Sequence, residues 1–424
     1  MFVNLRPNKR WVVLALVFFG IVISYIDRGN LSIAAPSIMR DFAISPAAMG
    51  VLLSAFFWTY GTFQIPAGAL VDRLGIRRAY AGGFLIWSIA SAAIALSRGR
   101  GDIIGLRMVL GFAEAIGPLA SLSFIRNNFA GKDQGLPTSI YIAGQSIGPA
   151  LGALLGTMLL ERFGWRAMFA ATGLGALLWI PCWLAAVPLE GTRAVGTAEV
   201  GIADARTAEK TDDAWTWSDL LDCRAFWALS LSSLLASYYW YFVLTWVPSY
   251  LVLSKGFSNL GMGRVISTGL FSMAATNVLI GFAADKLAAR IGVFRTRLSI
   301  AVLGYLGTAA ILLLLILPTQ DWVIPVLTFS ICATGAGNSN FWAIVQHASS
   351  KNMAGRSVGY LNTISQVAGA AAPVITGWIL GPQKQFGPAI LVAGICPVLA
   401  ALCLLWSGST GLDRVKGLLA SETR

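Results

Sequence analysis

Gly68-Ala-Leu-Val-Asp72-Arg73-Leu-Gly75-Ile-Arg77-Arg78 is a short polar stretch between two long apolar runs. A weaker copy returns as Gly281-Phe-Ala-Ala-Asp285-Lys286, followed by Arg290, Arg295 and Arg297. The two aspartates stand 213 residues apart in a chain of 424, about half its length. That spacing points to a duplicated unit. Around the two copies lie apolar runs of about 20 residues, each long enough to cross roughly 30 Å of hydrocarbon at about 1.5 Å per residue. Twelve such runs are predicted, at about 11–36, 48–71, 79–98, 102–125, 135–160, 166–187, 224–253, 262–284, 296–317, 321–346, 355–380 and 387–408.

The composition agrees. The chain is 56% hydrophobic and 12% charged, about half the charged fraction of a soluble domain, and its mean hydropathy of +0.71 leaves lipid as the destination for the apolar surface. The 45 glycines suit helices whose backbones approach closely in a bilayer. The net charge of +12 is spread in small clusters between apolar runs, a pattern of membrane anchoring and not of nucleic-acid binding. Counting Lys and Arg with both termini inside gives 21 on the inner segments and 8 on the outer loops, so cytoplasmic termini are predicted. The five cysteines lack disulfide or metal spacing and read as packing residues. The first apolar run is longer than the core of a signal peptide and carries Asp27 and Arg28, so it is expected to remain in the protein.

These features predict an all-α membrane protein of twelve transmembrane helices in two pseudo-symmetric six-helix bundles. Residues 1–187 form the first bundle, 188–223 a cytoplasmic linker, and 224–424 the second bundle with its tail. Within the linker, Trp215-Thr-Trp217-Ser-Asp-Leu-Leu221 reads as a short amphipathic helix at the interface. A duplicated six-helix unit with parallel halves is a secondary-transporter architecture.

The stretch after the second run and its degenerate copy resemble the signature of the major facilitator superfamily. Four further stretches resemble its anion:cation symporter family: Tyr25-Ile-Asp27-Arg28-Gly-Asn30, Phe57-Trp-Thr-Tyr60-Gly-Thr-Phe-Gln64-Ile-Pro66, Arg107-Met-Val-Leu-Gly-Phe-Ala-Glu114 and Tyr241-Phe-Val-Leu-Thr-Trp246-Val-Pro-Ser-Tyr250. That family includes bacterial sugar-acid, tartrate and phthalate-type carriers and the animal sialic-acid and vesicular glutamate transporters. The resemblance implies a substrate anchor at Arg28, protonation sites at Asp27 and Glu114, and an arginine, Arg107, that modulates Glu114. It further implies substrate contacts from Tyr25, Tyr60, Gln145, Trp246 and Asn362, and a conformational latch from Asp72, Arg73, Arg77, Arg78 and Asp285.

Read from the residues alone, Asp27, Arg28, Arg107 and Glu114 are the four charges predicted at depth, where each costs about 2.5–3.5 kcal/mol on insertion scales. One reading is a structural ion-pair cluster joining the first and fourth spans; the other is function. Arg107 and Glu114 lie seven residues apart, so they share a helix face. Two turns, about 10 Å, is too far for an easy direct pair, so each needs another partner. A poorly solvated carboxylate at Glu114 is able to take up and release a proton at ordinary pH, which proton coupling requires. Asp27 and Arg28 point about 100° apart and cannot face the same neighbour. Arg28 is expected in the central cavity, where its planar fork suits a carboxylate, and Asp27 against another helix. Asn277, Asn338 and Asn340 read as interhelical bonds, the lone His347 as an interface residue, and the prolines in the spans as kinks.

Nothing in the chain has the pattern of an enzyme's nucleophile and base, a metal cluster or a phosphate-cradling loop. A channel would need a continuous polar stripe. The expectation is therefore a proton-coupled symporter for a small organic anion, a sugar acid or another carboxylate. It would work by alternating access in a bacterial inner membrane, as a monomer in contact with lipid, with the proton as coupling ion, no other cofactor and no nucleic-acid partner. The rival is a proton-driven antiporter exporting cationic or amphipathic small molecules, for which Asp27 and Glu114 would supply the negative charge. A receptor on the same fold that has lost transport is a further possibility.

Overall fold

A computed structural model describes residues 7–129, 133–188, 224–317, 319–348 and 354–409, and every long element in them is helical. The helices are α1 (Pro7–Asp41), α2 (Pro46–Ala93), α3 (Arg100–Glu114), α4 (Ile116–Asn128), α5 (Gly135–Ala176), α6 (Trp179–Ala186), α7 (Arg224–Thr245), α8 (Val247–Leu253), α9 (Asn259–Ile291), α10 (Val293–Thr308), α11 (Val323–Ala348), α12 (Ala354–Leu380) and α13 (Phe386–Ser409). The expected linker, with its amphipathic helix and Cys223, lies outside the described residues, as does the side chain of His347.

Eight helical stretches among the described residues are long and apolar enough to cross a membrane. Two of them, Pro46–Leu96 and Gly135–Ala186, have 51 and 52 residues, about twice what one crossing needs. Each doubles back at a glycine with left-handed backbone, Gly75 (φ 77°) and Gly164 (φ 79°), a conformation that costs a side-chain-bearing residue energy. The predicted spans 48–71 with 79–98, and 135–160 with 166–187, are thus pairs of limbs around these turns. The α7–α8 pair and α11 occupy the places of the two remaining spans. Gly292 (φ 89°) and Gly381 (φ 57°) repeat the turns of Gly75 and Gly164 in the second half, each 217 residues on. The duplication seen in the signature therefore extends to backbone geometry.

Prolines break three helices where their missing N–H removes an i→i−4 bond. Pro118 leaves the Glu114 carbonyl without its usual partner and α3 gives way to α4 at Ala115. Pro181 separates α6 from α5, and Pro248 separates α8 from α7 at Trp246.

One apolar cluster lies wholly within α1–α6, a second within α7–α13, and a third joins the two halves. Glycines permit the joining. A Cβ on Gly50 would lie 2.4 Å from the Pro373 carbonyl oxygen, one on Gly377 2.5 Å from that of Pro46, and one on Gly263 2.7 Å from that of Ala153. Cross-half hydrogen bonds add to this seam, from Asn259 Nδ2 to Glu161 Oε2 (2.8 Å) and from Ser267 Oγ to the Ala150 carbonyl (2.8 Å). All these contacts lie toward the end bearing the Ala43, Gly164, Gly256 and Gly381 turns, which is sealed. On the Gly75 side of Gln366 no hydrogen bond or ion pair links the halves among the described residues. The large apolar side chains left exposed, such as Ile65, Leu178, Ile316 and Trp378, suit a lipid-facing surface. Cys182, expected to pack, is exposed as well.

Candidate functional site: a cavity between the halves

α1 reaches its position by close approach to the first limb of α5. Gly144, Gly148, Gly152 and Gly156 form a four-residue-spaced stripe, and a Cβ at Gly148 would fall 2.6 Å from Tyr25 Cβ, one at Gly152 3.1 Å from Ile26 Cα. This contact turns Tyr25 and Arg28 toward the middle of the molecule. There a cavity of about 630 Å³ opens between the halves. It is lined by Tyr25, Arg28, Tyr60, Arg107 and Gln145 from the first half and by Trp240, Tyr241, Asn362 and Gln366 from the second.

The Arg28 guanidinium is stacked among three rings, with Cζ 4.7 Å from the Tyr25 centroid, 4.8 Å from Phe56 and 4.4 Å from Tyr60. Its Nε donates to Glu114 Oε2 at 2.7 Å, an ion pair in which the Glu114 side chain is fully buried. Ser24 Oγ donates to the same oxygen at 2.7 Å. No hydrogen bond occupies Nη1 or Nη2 of Arg28 among the described residues, so the outer edge of the fork remains for a ligand. The predicted partner for Glu114 on another helix is therefore Arg28.

Arg107 also lines the cavity, with Cζ 5.1 Å from the Phe56 centroid on which Arg28 stacks. Its Nε and Nη1 are buried without an acceptor, and Glu114 Oε1 is buried without a donor. Arg107 thus has neither hydrogen bond nor ion pair among the described residues; its distance along the helix from Glu114 anticipated the missing direct pair, but not the lack of a partner on another helix. Asp27 is directed away from this cavity. Its Oδ1 accepts from Ser91 Oγ (3.1 Å) on the second limb of α2 and lies 3.5 Å from Asn30 Nδ2. Neighbouring residues of α1 thus face different surroundings.

Of the expected substrate contacts, Tyr25, Tyr60, Gln145 and Asn362 meet at the cavity and Trp246 does not. Trp246 is fully buried, its Nε1 donating to the Pro373 carbonyl at 3.0 Å, because the break before Pro248 turns it into the seam. Gln366, Ser24 and Tyr141 were not singled out from the sequence. Gln366 accepts from Tyr241 OH at 3.0 Å. It lies four residues after Asn362, and Ser24 four before Arg28, so helical periodicity would have placed each on the functional face. Asn338 accepts from Tyr305 OH (3.0 Å) and Asn340 from Arg297 Nη1 (3.1 Å), the interhelical roles expected of them.

The latch residues stand apart from the cavity. Asp72, Arg73 and Arg78 are exposed, and Asp72 has no ion pair among the described residues. Arg77 Nη2 donates to the Leu184 carbonyl at 2.8 Å, inside its own half. Asp285 pairs with Arg297, also within one half, so among the described residues neither aspartate bridges the halves.

The family model of the Major Facilitator Superfamily matches residues 17–373. A "Probable galactarate/D-glucarate transporter GudP" of Bacillus subtilis is 27% identical, with 94% of this chain and 92% of that protein covered. A "Hexuronate transporter" of the same species is also 27% identical, with 93% of each covered. A "D-galactonate transporter" of Escherichia coli is 26% identical, with 93% of this chain and 94% of that protein covered. Among solved structures, a bacterial homologue of the human lysosomal transporter Spinster, in an inward-facing and occupied conformation, superposes with a TM-score of 0.76 at 18% identity, over 96% of this chain and 98% of that one. At that identity the likeness is one of fold.

Proposed function

The chain belongs to the Major Facilitator Superfamily, a multi-pass membrane transporter and not an enzyme, and we propose that it is a proton-coupled symporter for an organic anion of the sugar-acid class. The observation that carries this reading is Arg28. A guanidinium facing a cavity between the halves, held flat by three rings, presents its Nη edge to a ligand carboxylate. Tyr60, Gln145, Asn362 and Gln366 around it supply neutral donors and acceptors suited to hydroxyl groups. The names of the three bacterial relatives above, a probable galactarate/D-glucarate transporter, a hexuronate transporter and a D-galactonate transporter, favour the same class.

Coupling follows from the competition for Arg28. With the cavity free of anion, Glu114 holds the guanidinium through Nε. Protonation of Glu114 removes its charge and frees Arg28 to bind a substrate carboxylate at full strength. Departure of the anion returns Arg28 to Glu114, which then gives up its proton. Each ligand raises the affinity for the other, and such coupling is reciprocal. Asp27 is a second proton site. The halves 1–187 and 224–424 rock about the cavity. In this conformation the end with the Ala43 turn is sealed, while Asp72, without an ion pair among the described residues, and Asp285, held by Arg297 of its own half, await the opposite state. The Lys and Arg bias supports cytoplasmic termini and an inward-open reading, in the inner membrane of a bacterium. Export of cations fits less well, since two guanidiniums line the cavity while Asp27 does not and Glu114 is buried beneath Arg28.

Isothermal titration of detergent-purified protein with D-glucarate, D-galactonate, D-glucuronate and a lipophilic ammonium compound tests the substrate class. Binding of at least one sugar acid that weakens as pH rises supports the reading. Binding of the ammonium compound alone would give the case to export.

A further inference from the structure

Two guanidiniums reach the central cavity, and the protein supplies a partner to one of them. Arg28 has Glu114. Arg107 lines the same cavity, is 2% exposed, and makes no hydrogen bond or ion pair among the described residues. Its Nε and Nη1 are shut in without an acceptor, which leaves Nη2 as the nitrogen with access to the cavity. Glu114 Oε1 lacks a donor as well, yet two turns of α3 separate it from Arg107. A buried charge without a counter-charge is costly, and that cost falls when a ligand brings the missing acceptor.

The spacing of the two arginines limits what that ligand can be. Arg28 Cζ lies 4.8 Å and Arg107 Cζ 5.1 Å from the Phe56 centroid, so the two carbons are no more than about 10 Å apart. An extended six-carbon chain holds its end carboxylates roughly 6 Å apart. Each paired carboxylate carbon sits about 4 Å from its guanidinium carbon. Such a chain reaches both arginines at once, and a four-carbon chain does so too. The cavity of about 630 Å³ has room for it, with Gln145 and Asn362 at hand for its hydroxyls. α3 begins next to the Gly164 turn, where Arg166 Nη2 donates to the Ser97 carbonyl at 3.2 Å. Arg107 therefore lies nearer the sealed end than the Arg28–Glu114 pair.

We propose that the site takes a dianion: a linear dicarboxylate of four to six carbons, one carboxylate on the Arg28 fork and the other on Arg107 toward the closed end of the cavity. This rests on the sugar-acid reading above and deepens it. The names of the relatives leave the number of carboxylates open, since galactarate and D-glucarate carry two and D-galactonate one. The second guanidinium decides. A monocarboxylate paired with Arg28 leaves Arg107 without an acceptor, whereas a dicarboxylate satisfies both.

The test compares two acids that differ at one end. D-Glucarate and D-gluconate share every hydroxyl-bearing centre, and only the last carbon differs, a carboxylate in one and a hydroxymethyl group in the other. Isothermal titration of purified wild-type protein should show D-glucarate bound at least about tenfold more tightly, the effect of one further charge-assisted hydrogen bond. Arg107→Gln removes no hydrogen bond or ion pair of the fold among the described residues, and thermal unfolding without ligand checks that it is intact. In that variant the preference should disappear. If both acids weaken equally, so that the preference survives, Arg107 acts through Glu114 or the fold and the second anchor is overturned. The wild-type comparison stands whether or not the variant folds. Equal affinity for the two acids, or binding of D-galactonate or D-glucuronate without D-glucarate, overturns the dicarboxylate proposal and leaves the sugar-acid reading standing. Wild-type protein that binds none of the four removes both.

Discussion

Arg28→Lys isolates what the guanidinium fork contributes. The positive charge remains, so Glu114 is not left as a buried unpaired carboxylate, a state that costs about 3–5 kcal/mol and would confound an alanine variant. The substitution removes the planar group that fits flat among the rings of Tyr25, Phe56 and Tyr60 at 4.4–4.8 Å, and with it the two Nη donors. An ammonium that keeps its contact with Glu114 at the site of the present 2.7 Å bond has no second, coplanar pair of donors to offer a carboxylate. The loss to the substrate is about one charge-assisted hydrogen bond, roughly 1.5–3 kcal/mol, or about 10- to 150-fold in Kd. Titration of D-glucarate against wild type and variant measures it directly, and thermal unfolding without ligand checks that the fold is intact. A folded Arg28→Lys protein that binds with wild-type affinity would refute the fork as the anchor.

Further expectations concern the coupling carboxylate, the hydroxyl contacts and the seam. Glu114→Gln should retain anion exchange in proteoliposomes and lose accumulation under a proton gradient; accumulation that survives would remove Glu114 from the coupling. Asn362→Ala should weaken binding of a polyhydroxy acid by about 1 kcal/mol, roughly fivefold, and leave a hydroxyl-free carboxylate unaffected; equal effects on both would show that Asn362 does not read hydroxyls. Gly50→Val places a branched side chain where a single Cβ already meets the Pro373 carbonyl at 2.4 Å. Closure of the sealed end should then fail, making a cysteine at Ser267, 2% exposed in the seam, more reactive toward an impermeant thiol reagent than in the parent; unchanged reactivity would mean that the seam yields without cost.

Much of this was legible in the residues because membrane folding leaves simple marks. Span length, the Lys and Arg bias and the four charges at depth are each set by the cost of placing polar groups in hydrocarbon, and the angle between Asp27 and Arg28 follows from helical geometry alone. What could not be read depends on tertiary contact. The seven-residue spacing of Arg107 and Glu114 showed that each needed another partner, but not that Glu114 would find Arg28 while Arg107 would find none. Trp246 sits in a stretch that resembles a substrate-binding segment, yet the break before Pro248 turns its indole into the seam. Asp285 shares a signature with Asp72, and only the structure shows it held by Arg297 of its own half. The α5 glycine stripe was visible in the sequence at four-residue spacing, but only the packing identifies α1 as the helix it receives.

The central claim is that an anion and a proton cross together, and the most direct test is uptake of labelled D-glucarate into proteoliposomes with and without an inward pH gradient. Accumulation above the external concentration, dependent on the gradient and abolished by a protonophore, is the predicted result. Uptake that only equilibrates, at the same rate with or without the gradient, would contradict it.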